Sequence, residues 1–138
     1  MEELQRLYNE LLYLFENHRH LEYDRSKRLT NTDSVVTLTD GATPALNAGQ
    51  GTIFYLSAGG NRTIAVPTNP STGKKIIIRH YASGGARTLS LNTGAGGFRF
   101  GNDIVSLSAT TSGRTDYIGC IWTEEDGFWD VVAVSKGY

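Results

Sequence analysis

RTDYIGCIWTEEDGFWDVVAV, residues 114 to 134, is the stretch that decides the fold. Two runs rich in β-branched and aromatic residues, Arg114 to Thr123 and Phe128 to Val134, flank the polar tetrapeptide Glu124 to Gly127. That arrangement predicts a hairpin around Asp126-Gly127, because Asp-Gly tolerates the positive φ that a tight turn between twisted strands requires. Phe128 and Trp129 are neighbours in one strand, so they face opposite sides of it. Trp122, Phe128 and Trp129 are therefore candidates for core, for a subunit interface, or for a surface on which a ligand stacks.

Outward from this hairpin the same texture continues towards the N-terminus. Strands are expected at Ser34 to Thr39, Thr52 to Ser57, Arg62 to Val66, Lys75 to Tyr81, Arg87 to Leu91, Phe98 to Phe100 and Ile104 to Ala109. Three consecutive isoleucines make KIIIRHY, from Lys75, the expected central strand. Between the runs lie loops marked by glycine, proline and asparagine, such as Pro67 to Gly73 and Asn92 to Gly97. Short strands separated by turn signals every eight to twelve residues predict a compact antiparallel β-sandwich or jelly-roll-like domain over residues 34–138. No fixed-period repeat is present, which argues against a solenoid or propeller.

Residues 1–23 have a different texture. MEELQRLYNELLYLFENHRHLEY contains no glycine, proline or β-branched residue. Leu4, Leu7, Leu11, Leu14, His18 and Leu21 are spaced alternately by three and four, the seam of a coiled-coil-like amphipathic helix. Tyr8, Leu12, Tyr13 and Phe15 lie off the strict seam and widen the apolar arc; they are candidate docking residues for another protein. A helix of this length is marginal alone in water. Its stability must come from burying the seam, at roughly 1.5–3 kcal/mol per leucine. The seam predicts self-association, with the widened face favouring three strands over two. Residues 24–33, DRSKRLTNTD, read as a polar linker.

Composition bounds the function. The chain has 138 residues and a formal net charge of −1, so nothing in its bulk charge points to nucleic acid or an anionic membrane. The apolar run Leu11 to Phe15 is too short to span a bilayer, and no signal peptide is visible. Synthesis and folding in the cytoplasm are expected. Cys120 is the one cysteine, so no intrachain disulfide can form.

Chemical motifs are sparse. His18, His20 and His80 do not share a metal-ligand spacing, and His18 reads as a polar register-setting residue in the seam. Cys120 lies in an apolar run and reads as structural. Glu124, Glu125 and Asp126 crowd one turn, where neighbouring carboxylates splay apart instead of facing each other across a cleft. Gly73-Lys74-Lys75 precedes a strand and is no phosphate-binding loop. No cofactor, metal or catalytic residue is expected.

An ordered series of segments resembles a β-domain of tailed-bacteriophage structural proteins. It comprises TLTDGAT (37–43), GNRTIAVPTNP (60–70), GKKIIIRH (73–80), GGARTLSLNTG (84–94), FRFGNDI (98–104), SGRTDYIG (112–119) and WDVVAVSKGY (129–138). Such domains occur at the ends of tail-fibre-like proteins and in head-fibre or decoration proteins. The resemblance covers roughly Ser34 to Tyr138 and leaves the helix outside. It implies a non-enzymatic, homotrimeric virion protein, assembled in the host cytoplasm, whose partners are its own copies and capsid or tail proteins. A capsid decoration or head-fibre role is the leading expectation. A tail-fibre or tail-tip module contacting a host surface receptor is the alternative, and a carbohydrate-binding or carbohydrate-active domain the third reading.

Overall fold

A computed structural model of the chain describes residues 2–12 and 34–138. The chain divides into two compact units, Met1–Thr32 and Asp33–Tyr138. In the first, residues 2–12 form the helix α1. The expected continuation of the helix to Tyr23 and the linker 24–33 lie outside the described residues.

The second unit holds eight strands: β1 (Val35–Thr37), β2 (Ile53–Ala58), β3 (Arg62–Ile64), β4 (Lys75–Ala82), β5 (Leu89–Leu91), β6 (Phe98–Arg99), β7 (Thr115–Thr123) and β8 (Phe128–Ser135). Six form one sheet in the order β1-β2-β4-β7-β8-β6, and β3 pairs with β5 in a second, two-stranded sheet. β4 lies inside the large sheet, as its isoleucines predict. The β7–β8 hairpin forms as expected, with Thr123 opposite Phe128 and Gly127 at φ +71°.

The fold is mainly β, but its pairing is mixed and not antiparallel throughout. β1–β2, β2–β4, β3–β5 and β6–β8 are parallel; β4–β7 and β7–β8 are antiparallel. Connection length is the reason. Among strands that pair with each other, only β7 and β8 are joined by a tight turn. Residues 38–52 and 59–74 are long enough to cross over and return the chain in the same direction. The second of these crossovers contains β3 and the next contains β5, so the two crossovers pair with each other.

The core lies on one face of the large sheet. Phe54 and Leu56 (β2), Ile76 and Ile78 (β4), Ile118 and Cys120 (β7), and Trp129 and Val131 (β8) all point inward. Ile64, Leu89 and Leu91 of the small sheet, with Leu46 and Ala48 from the first crossover, cover them. Gly97 shows how tightly a loop must close over this layer: a Cβ there would collide with the backbone oxygen of Asn92.

Residues Ile104 to Ala109 do not form the expected strand. Ile104 and Leu107 pack against the core, whereas Val105 is 71% exposed. With Thr110 buried next, every third residue turns inward. That period does not match the two-residue alternation of a strand.

Candidate interaction surfaces

Every residue of α1 is exposed. Leu4 is 72% exposed and Leu11 67%, with Leu7, Tyr8 and Leu12 also exposed. Spaced three and four apart, the leucines share one side of the helix. The seam residues Leu14, His18 and Leu21 and the docking candidates Tyr13 and Phe15 lie outside the described residues.

A second surface is the outer face of the six-stranded sheet. Strand alternation that turns Ile76 and Ile78 inward turns Ile77 and Arg79 outward. The register then aligns Tyr55, Arg79 and Tyr117 in one row, and Ile53, Ile77, Gly119 and Ala133 in another. The Arg79 guanidinium lies 4.8 Å from the centre of the Tyr55 ring. Tyr117 meets Tyr138 edge to face at 5.5 Å, and the Tyr138 and Ser135 hydroxyls are 2.7 Å apart. Where Gly119 faces Ala133, small side chains leave an open trough of about 500 Å³ between Ile77 and the tyrosine pair. The fold does not demand that glycine, since a Cβ there would make only ordinary contact with Ala133 at 3.5 Å.

The aromatic candidates around the hairpin are distributed differently from a ligand surface. Trp129 is fully buried and Trp122 is buried beside it, with ring centres 5.4 Å apart. Both belong to the core, because alternation along β7 and β8 sends paired Trp122 and Trp129 to the same inner face. Phe128 is half-buried, and the Arg99 guanidinium lies 5.4 Å from its ring centre.

Three of the nearby carboxylates are engaged in holding the hairpin. Arg99 of β6 donates from Nε to Asp130 Oδ1 (2.7 Å) and from Nη2 to Asp130 Oδ2 (3.0 Å) and Asp126 Oδ2 (2.9 Å). Thr123 Oγ1 also donates to Asp130, and the Trp122 indole N–H donates to Glu124. The Arg99 hydrogen bond holds the Asp130 carboxyl below the usual range. Burial pushes the Cys120 thiol up to about 12, so it stays protonated at neutral pH, as a structural cysteine would.

The tyrosine face was not among the sequence candidates. Its signal was present in the alternation itself: in TIFYLS, KIIIRHY and RTDYIGCIWT, the tyrosines fall on the positions opposite the buried ones. Among the described residues no His, Cys, Asp and Glu side chains group as a metal site, and no helix is long and apolar enough to cross a membrane. Compared with protein-family models, curated proteins and solved structures, the chain matches none.

Proposed function

We propose that this protein is a non-enzymatic structural component of a tailed-bacteriophage virion: a homotrimeric capsid decoration or head-fibre protein, anchored through its N-terminal helix. The observation that carries this reading is the exposed seam of α1. Leu4, Leu7 and Leu11 present an apolar ridge to solvent, and a ridge of that kind is stable when copies of it, or a partner groove, cover it. The resemblance of the ordered segments to a phage β-domain motivates the virion assignment. Engagement of Glu124, Asp126 and Asp130 by Trp122 and Arg99 supports a non-enzymatic role for the acidic turn.

A tail-fibre or tail-tip role is the second reading, and the tyrosine-lined trough favours it. Tyrosine rings beside hydroxyl groups are suited to recognising a surface receptor. In either role three copies gain avidity, by factors on the order of 10² to 10⁴ when they engage together.

Quantifying the protein in purified particles separates the two readings. Decoration predicts copy numbers comparable with the major capsid protein. A few copies per particle, with antibody against the β-domain blocking infection, would instead support the tail reading.

A further inference from the structure

Four residues from separate segments of the chain meet beneath the sheet. His80 of β4 is fully buried, and its Nδ1 lies 2.8 Å from Thr110 Oγ1. Thr110 Oγ1 donates to Asp116 Oδ2 at 2.6 Å. Asp116 Oδ2 also receives Lys136 Nζ at 2.8 Å, and its Oδ1 accepts the Gly137 N–H at 3.0 Å. Lys136 Nζ further donates to the backbone oxygens of Ser108 and Ala109.

Proton counting assigns the imidazole. A threonine hydroxyl has one hydrogen, and here the carboxylate of Asp116 takes it. Thr110 must then accept from His80, so Nδ1 carries the proton and Nε2 is a bare lone pair. Nε2 has no hydrogen-bond partner among the described residues. His80 lines a cavity of about 10 Å³, together with Leu89, Leu107, Ile118, Val134 and the polar residues named above. That is room for about one water molecule.

We propose that residues 136–138 are a latch on the β-domain, closed while His80 is neutral and released when His80 gains a proton at Nε2. The charged groups facing His80 explain the coupling. Asp116 reaches it from β7, Lys136 from the chain after β8, and Asp40 from the chain after β1. Asp40 is already held by the Arg62 guanidinium at 2.7 Å. An imidazolium and the Lys136 ammonium would therefore share the single carboxylate of Asp116 in a largely apolar cavity. The Lys136 side chain is 39% exposed and its ammonium can leave for water; the imidazole, fully buried, cannot. Departure of Lys136 removes its bonds to Ser108, Ala109 and Asp116, and the Gly137 bond to Asp116 follows. What then holds the tail is the backbone exchange between Thr115 and Tyr138, the Tyr138 ring on Tyr117 and its hydroxyl on Ser135, a smaller set that opens more often. The Tyr138 ring, one wall of the outer trough, then opens with the tail.

The direction with pH follows from the two carriers. Burial is the main influence on His80 and lowers its proton affinity below the ordinary value of 6.5. The unfolded chain loses that burial, and the unlatched chain, with His80 still buried, loses the repulsion from Lys136 that also lowers it, so both bind the proton more readily; latch stability is therefore complete above about pH 6.5 and falls as pH drops below it. Burial alone would raise the Asp116 carboxyl, but hydrogen bonds from Lys136, Thr110 and Gly137 hold it below its ordinary 3.8. Loss that begins well above that value belongs to His80.

The test is amide hydrogen exchange at Thr115, Gly137 and Tyr138 in the full chain, followed from about pH 7.5 to about pH 4.5 and corrected for intrinsic rates. Protection of these amides should fall by about tenfold or more while that of β2 and β4 amides persists. His80→Gln should make the same amides insensitive to pH over this range. Equal loss in that variant, or full protection of the wild-type tail at the acid end, would overturn the latch. Imidazole ¹⁵N shifts of the wild-type chain give a test that needs no variant. The Nδ1–H tautomer at neutral pH, and titration of His80 together with tail release, are expected. An Nε2–H tautomer, or titration with the tail amides unmoved, would refute the proposal.

Discussion

α1 and the β-domain solve the problem of apolar surface in opposite ways. The β-domain turns alternate residues of its large sheet inward and covers them with a second small sheet and two crossovers, leaving Phe54, Leu56, Ile76 and Trp129 without contact with solvent. α1 has its leucines on one side and covers none of them. A domain that closes its own core needs no copies of itself to fold. A helix whose apolar side is open needs a partner to be stable. The difference separates folding, which the β-domain carries, from association, which we assign to the helix.

Substitutions in the two regions should therefore have unlike consequences. The largest loss of stability is expected for Trp129→Ala, which removes a fully buried indole and should cost about 3–5 kcal/mol in a denaturant titration of the β-domain. A near-neutral result would mean that the core is not centred on this face. Next comes Gly97→Ala. Its new methyl group meets the Asn92 backbone oxygen, and a backbone shift of this kind should cost about 1–3 kcal/mol, read from the same titration.

Most strand positions were legible in the sequence because a buried sheet face imposes a period of two. The runs at Thr52, Lys75, Arg114 and Phe128 each became a strand, with ends differing by at most one residue. Pairing direction was not legible, because the alternation of a strand is the same whether its neighbour is parallel or antiparallel. It depends on how the long crossovers travel, and those have no periodicity. Ile104 to Ala109 failed for a related reason. VSLSA alternates in hydropathy, but the backbone follows a three-residue period, set by anchoring at Thr110 and by Lys136 holding Ser108 and Ala109. Trp122 and Trp129 were legible as aromatics but not as a buried pair until the hairpin register was known. The His80, Thr110, Asp116 and Lys136 cluster was invisible to any local reading, since its members come from four separate segments.

On the helix, Leu7→Glu with Leu11→Glu places two charges on the open apolar side. The expected effect on β-domain stability is the smallest of the set, within about 0.5 kcal/mol, because these side chains are exposed and not in its core. The expected effect on assembly is complete. Sedimentation equilibrium of the full-length chain, wild type against this double variant, tests the division of labour most directly. A wild-type trimer and a folded monomeric variant are expected; a variant that remains a trimer at the wild-type concentration dependence would refute association through the helix.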